Sequence, residues 1–311
     1  MVAQSATALR HQRAPFPAIN LESRRALAGA GFLAPALLVL LSFLAFPVVY
    51  ALAVSFTRYD LVSSPSFVGL RNYQALFADP QFWASARVTL AFVTLAGLPL
   101  LVVALGLALL LEQRLRGSSF FRAAIFVPVV IPEVAAAVVW RFIFHPYGLL
   151  NTLVASTGLS QTDIAWLLSP RAVLWAFVIL AIWKQLGYFV VIFATGLSTI
   201  AAEHTEAAIM DGASALQRFW YVTLPMLRPT MFFAVTMMLV ILLNTFAPFY
   251  LMTNGGPANA SEVMALLMYK IGFEYLDFGR ATAVAVLMMA VIGGVSVIQF
   301  LVFREQPAKS S

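Results

Sequence analysis

The chain has 311 residues, 62% hydrophobic and 10% charged, with a net charge of +6, and a mean hydropathy of +0.91. No soluble globule of this length needs so much apolar material, so the composition excludes a soluble protein and predicts an all-α, polytopic transmembrane helical bundle. The absence of cysteine excludes disulfides, thiol catalysis and cysteine metal ligands.

Residues 1–27 form a basic tail in which Arg10, Arg13, Arg24 and Arg25 precede the first apolar run. Anionic headgroups and insertion topology account for that placement, so the basic balance does not call for nucleic acid. The tail is too long, and the run after it too long, for a cleaved secretory signal. Six apolar runs reach bilayer-spanning length, near 28–56, 84–111, 121–144, 171–199, 229–253 and 280–303. The first holds Pro35 and Pro47 and is expected to tilt, kink or emerge as helix beyond the membrane. One integral domain of six transmembrane spans, 28–303, is thus expected between the tail and a short C-terminal tail, 304–311. Threading six spans puts residues 1–27, the Arg114/Arg116/Arg122 loop, a 200–228 loop with Arg218 and Arg228, and the Arg304/Lys309 end on one side. The arginine bias predicts that side to be cytoplasmic, with both termini inside. The opposite segments, near 57–83, 145–170 and 254–279, carry Asp60, Asp79, Asp163, Glu262, Glu274 and Asp277 among fewer cations.

Polar groups interrupt three spans. An ionisable group at depth is costly, so it normally faces protein or water. Glu133, after Pro132 in the third span, reads as the single deep acid and a buried charge, paired structurally or reached by water. Lys184 lies midway along the fourth span beside Gln185, and can pair with Glu133, line a path or snorkel. In a helix Gln185 and Tyr188 share a face. In the fifth span, Asn244 and Thr245 are followed by Tyr250, which a continuous helix turns well away from Asn244. Helix-to-helix hydrogen bonding is the bland account of these groups; a solute path lined by Lys184, Gln185, Tyr188, Asn244, Thr245 and Tyr250 is the sharper one.

The 200–228 loop reads as a short helix, a turn and a second short helix. Glu203 to Met210 is free of Gly and Pro, with an acid early, where the helix dipole favours it. Gly212 permits positive φ; Leu216, Phe219, Trp220 and Leu224 then form an apolar stripe before Pro225 and Pro229. The order Glu206-Ala207-Ala208, Gly212, nine residues, then Val222-x-Leu224-Pro225 resembles the EAA loop of binding-protein-dependent ABC importer permeases, with Ala201 where such permeases often have proline. The resemblance implies an ATPase-coupling role for Glu203, Glu206, Ala207, Ala208, Asp211, Gly212, Leu224 and Pro225. Phe67-Val68-Gly69-Leu70-Arg71-Asn72-Tyr73 and Thr253-Asn254-Gly255-Gly256-Pro257 resemble segments of the carbohydrate, maltose-type class, although an aromatic belt and simple turn chemistry also explain them.

What this resemblance implies is a permease of a bacterial or archaeal inner membrane. Its partners would be a second homologous permease, a dimeric cytoplasmic ATPase that binds ATP and Mg, and an extracytoplasmic solute-binding protein delivering a sugar, a polyol or a glycerol phosphate. The chain itself is expected to bind no cofactor or metal: it has no Gly-Lys dipeptide for a phosphate-binding loop, no His-Glu-x-x-His pair and no Gly-x-Ser-x-Gly elbow. An ion-coupled secondary transporter using Glu133 is the rival reading, which leaves the 200–228 pattern unexplained.

Overall fold

The computed structural model describes residues 21–112, 118–157 and 164–304. Arg10, Arg13, Arg114, Arg116, Asp163 and Lys309 lie outside them. Two compact units are separated near residue 50. The first holds α1 (Leu21–Leu40), a π-helical turn at Leu41–Ala45 and the start of α2 (Phe46–Ser55). Pro47 has no N–H for the carbonyl four residues back, and the widened turn just before it takes up the mismatch.

In the second unit a two-residue hairpin, β1 (Thr57–Arg58) with β2 (Ser66–Phe67), leads to α3 (Arg71–Ala78) and α4 (Pro80–Glu112). After α4 come α5 (Ser118–Val130), α6 (Glu133–Ile143), α7 (Leu149–Ser156) and α8 (Val173–Ser198). The 200–228 region holds α9 (Ala202–Met210), α10 (Ala215–Arg218), a π turn at Phe219–Thr223 and α11 (Leu224–Met226). Then follow α12 (Arg228–Leu243), α13 (Ala247–Thr253), α14 (Met264–Tyr269), a π turn at Lys270–Glu274 and α15 (Phe278–Arg304). Among the described residues five helices can cross a membrane by length and composition, and α5 with α6 make a sixth candidate.

The centre is the packing of α4 on α8. Ala96, Leu100, Ala104 and Ala108 repeat every fourth residue down one face of α4 and are wholly buried; the three small alanines let the helices approach without a hydrophobic effect between them in lipid. Phe177 of α8 stacks on Phe249 of α13 at 4.0 Å, and Phe92 of α4 meets the same ring edge-on at 5.0 Å.

Two expected spans are not continuous. The third is broken at Ile131-Pro132, where α5 and α6 differ in direction by 101°. The fifth is interrupted between Leu243 and Ala247. Each break has a proline as its cause: Pro132 cannot donate to the Pro128 carbonyl, nor Pro248 to that of Asn244, because the ring nitrogen carries no hydrogen. The angular argument separating Asn244 from Tyr250 assumed a continuous helix, and this interruption removes it.

The strings at 67–73 and 253–257 are built into the fold. Asn72 is buried and donates through Nδ2 to the carbonyls of Ser55 and Thr57, both at 2.8 Å. The Tyr73 hydroxyl meets Ser55 Oγ at 2.7 Å. Phe67 stays largely exposed as a belt residue would, and Leu70 and Arg71 beside it are exposed as well.

Candidate functional site

The first candidate region lies where the broken third span meets α8. A helix ending inside a membrane leaves its last carbonyls without partners, and no water is at hand to supply them. Lys184 Nζ donates to the carbonyls of Pro128, Val129 and Ile131 at 2.8, 3.1 and 2.6 Å. An ammonium has three hydrogens, and here each has an acceptor at the negative end of α5. The reach depends on Gly187, one turn further along α8: a Cβ there would stand 2.3 Å from the Ile125 carbonyl oxygen, so only glycine allows α5 so close.

Across the break, Glu133 sits in the first turn of α6, where the dipole favours an acid. The sequence predicts a buried charge, and instead Glu133 is exposed in this chain, together with the neighbouring residues 132, 134 and 135. Glu133, Lys184, Gln185 and Thr245 line one narrow cavity with Phe92, Phe177 and Phe249, and the cavity has room for about one water. Tyr188, Asn244 and Tyr250 lie off it. Asn244 Nδ2 and Thr245 Oγ1 donate back to the carbonyls of Val240 and Ile241 at 2.8 and 2.9 Å, so they bond their own helix end and not a neighbouring helix. Tyr188 sits edge-on to Phe189, and Tyr250 stacks on Phe246 at 5.3 Å.

The second region is the 200–228 loop. Ala201 adopts φ −63° and ψ 136°, the conformation proline would impose, and α9 starts directly after it. At the far end Ala213 N–H reaches the Ala208 carbonyl at 2.9 Å and Gly212 N–H the Ile209 carbonyl at 3.0 Å. With φ +76° at Gly212, this is a Schellman stop. Helix α10 opens on a capping box: Ser214 Oγ accepts from Gln217 N–H at 3.3 Å, and Gln217 Oε1 from Ser214 N–H at 2.8 Å. That Ser-x-x-Gln pattern is a local signature that the sequence reading passed over. Glu203, Glu206, Ala207, Asp211 and Gly212 are exposed, Ala208, Leu224 and Pro225 half-buried. The expected apolar stripe is not a buried face. The π turn alters its spacing, and Leu216 and Trp220 are exposed together with Ile209, Met210 (87%) and Tyr221 (80%).

A third cluster was missed. Glu262, expected on the outer segment near 254–279, is wholly buried, whereas Glu133 is exposed. Its Oε2 meets Lys270 Nζ at 2.6 Å, while Oε1 accepts from Gln81 Nε2 at 2.7 Å and Ser85 Oγ at 3.3 Å. Lys270 also donates to the Asn254 carbonyl at 3.1 Å. The group ties the 254–263 loop to the start of α4. The spacing of Glu262 and Lys270 hints at nothing, since Gln81 and Ser85 come from far away in sequence.

The profile of the family described as binding-protein-dependent transport system inner membrane component matches residues 75–305. The probable ABC transporter permease protein YesP of Bacillus subtilis is 36% identical over 279 residues, covering 88% of this chain and 89% of that one. The sn-glycerol-3-phosphate transport system permease protein UgpA of Brucella abortus is 34% identical, covering 86% and 92%. The trehalose/maltose transport system permease protein MalF of Thermococcus litoralis is 30% identical, covering 92% and 96%. A solved bacterial ABC transporter involved in the import of the acidic polysaccharide alginate has the same fold, with a TM-score of 0.77 at 21% identity over 91% of this chain and 97% of that one.

Proposed function

Since the chain belongs to the binding-protein-dependent transport system inner membrane components, we propose that it forms, with a second permease, the membrane path for uptake of a sugar. As an ABC transporter permease it is a multi-pass transport component and not an enzyme. The solute arrives on an extracytoplasmic binding protein. Energy comes from a cytoplasmic ATPase dimer carrying ATP and Mg, which docks on the 200–228 loop through Glu203, Glu206, Ala207, Ala208, Asp211 and Gly212, with Leu224 and Pro225 setting the exit of the loop.

The observation that carries this reading is the loop itself. Both of its short helices are closed by their own hydrogen bonds, yet it holds out Ile209, Met210, Leu216, Trp220 and Tyr221 beside exposed acids. Apolar side chains on a rigid, self-capped element mark a protein interface. For the path, Gln185 and Thr245 are the polar groups at the cavity, Asn244 keeps an exposed side-chain oxygen at the second break, and Tyr188 and Tyr250 supply rings. The cavity is too small for a sugar, which supports a path completed by a second permease. Glycerol phosphate is the second reading, favoured by the relatives that carry it; against it, all three hydrogens of Lys184 are already engaged.

Uptake of trehalose, maltose and sn-glycerol 3-phosphate by cells expressing the importer tests the assignment. A neutral sugar should accumulate, stop on ATP depletion and continue in the presence of an ionophore. Uptake that survives ATP depletion and collapses with the ionophore would instead establish a secondary transporter.

A further inference from the structure

From the break in the fifth span a row of rings runs to the far end of the chain. Phe246 and Tyr250 both touch Tyr269, at 4.9 and 5.1 Å between centroids. Tyr269 stacks on Phe273 at 5.1 Å, Phe273 meets Phe278 at 5.3 Å, and Phe278 meets Tyr59 at 6.3 Å. These rings come from the stretch before α13, from α13, α14, the π turn, α15 and the hairpin, so helix periodicity is not what aligns them. The row begins beside Asn244 and Thr245 and ends near the hairpin, with no gap wider than one ring. Burial alone does not explain it: Phe273 is 61% exposed, and Phe246, Tyr250, Tyr269 and Phe278 are only half-buried.

Charge along the row is selective. The nearest buried cation, Lys270, is held by Glu262, and Arg280 by Asp79 at 3.2 Å. Glu274, next to Phe273, is exposed, and Asp277 precedes Phe278. Asp60 follows Tyr59, and hydrogen bonds led by the Ser63 hydroxyl hold its carboxyl down to about 2, so it is ionised. Arg58, on β1, and Arg71, at the start of α3, are exposed cations at the hairpin, where the row ends, so the exposed charge beside the rings between is acidic. A phosphate dianion or a polyuronate gains little from such a surface. A pyranose gains on both counts, since its C–H faces lie against rings and its hydroxyls donate to carboxylates.

We propose that the row from Phe278 through Phe273, Tyr269 and Tyr250 to Phe246 is a contact track along which a neutral saccharide passes from the end of the chain opposite the 200–228 loop to the break between α12 and α13. The proposal rests on the sugar-permease reading above and narrows it to uncharged saccharides.

The test uses the complete importer, with ATPase and binding protein, in proteoliposomes. Its probes are a panel of neutral mono- to trisaccharides, with sn-glycerol 3-phosphate and an oligouronate as charged arms. Because the binding protein sets the half-saturating concentration, the track should govern the maximal rate. Phe273→Leu keeps an apolar side chain and removes the ring; it should lower neutral saccharide transport about 3- to 10-fold, the worth of one aromatic contact. ATP hydrolysis should persist, so fewer saccharides move per ATP, a ratio that a purely structural role would leave alone. Phe273→Trp should restore transport, and Tyr269→Leu should repeat the loss. Normal coupled transport of a neutral saccharide in Phe273→Leu and Tyr269→Leu would overturn the track while leaving the sugar reading intact. If wild type carries only sn-glycerol 3-phosphate or the oligouronate, the sugar reading fails and the track with it.

Discussion

Lys184 shows how one side chain can stand in for water. Its three hydrogens meet three carbonyls left where the adjacent helix ends at Ile131-Pro132, and in lipid nothing else would meet them. Replacing it with glutamine leaves at least one carbonyl unpartnered. Hydrogen bonds between membrane helices are worth roughly 0.6 to 1.7 kcal/mol each, so Lys184→Gln is predicted to cost about 1 kcal/mol and to lower the Tm of the purified protein. Asn244 bonds only its own helix end, so Asn244→Ala should leave the Tm within experimental scatter and reduce sugar uptake. Unchanged uptake in Asn244→Ala would remove it from the path; an unchanged Tm in Lys184→Gln would show that the break holds without it. The Glu262–Lys270 pair answers to a different rule. Removing one member strands the other charge in a dry site, at a cost of about 3 to 5 kcal/mol, whereas removing both costs far less. Lys270→Met is therefore predicted to be worse tolerated than Lys270→Met combined with Glu262→Gln, read from the fraction of folded protein by size-exclusion chromatography.

Elements differ in how much of them the local sequence dictates. The apolar runs were legible because crossing a bilayer demands some 20 consecutive apolar residues, a signal carried wholly within each segment. The turn at Gly212 was legible for the same reason, as one residue type fits its conformation. The sharp bend between α5 and α6 was not. Pro132 signals a weakened turn, but what holds the bend is a lysine more than fifty residues further on, brought near by Gly187. Nor was the burial of Glu262, whose partners sit on α4 and the following π turn. For the 200–228 element, the open space around Gly212 makes the prediction specific: a Cβ would touch nothing within 4 Å, so the penalty is one of backbone conformation alone. Gly212→Ala should cost about 1 kcal/mol and the β-branched Gly212→Val about 2. Both proteins should insert normally. Uptake and solute-stimulated ATP hydrolysis should fall in that order, up to roughly 30-fold for Val, since each 1.4 kcal/mol corresponds to a factor of ten. Wild-type coupling in Gly212→Val would show the loop to be a plain connector.

For the whole molecule the decisive question is orientation, because every functional assignment assumes that the 200–228 loop and the ring-bearing end face opposite compartments. Two physical arguments give the same answer. The arginine bias predicts that the Arg218 and Arg228 side is cytoplasmic, and the proposed ATPase contact on the 200–228 loop would require that same side. The helix order then fixes the rest: α12 and α13 together lead away from the loop, α14 and the π turn stay at the far end, and α15 returns. The chain has no cysteine, so a single introduced thiol reports its own compartment without a background. Gln217 and Glu274 are both exposed and stand at the two ends. In sealed cells an impermeant maleimide is predicted to label Glu274→Cys and to spare Gln217→Cys, with equal labelling of both once the membrane is permeabilised. The reverse pattern would invert the protein, put the acidic aromatic end in the cytoplasm and remove the loop from any ATPase. Labelling of both sites in intact cells would mean that residues 228–253 do not separate the two ends by a bilayer.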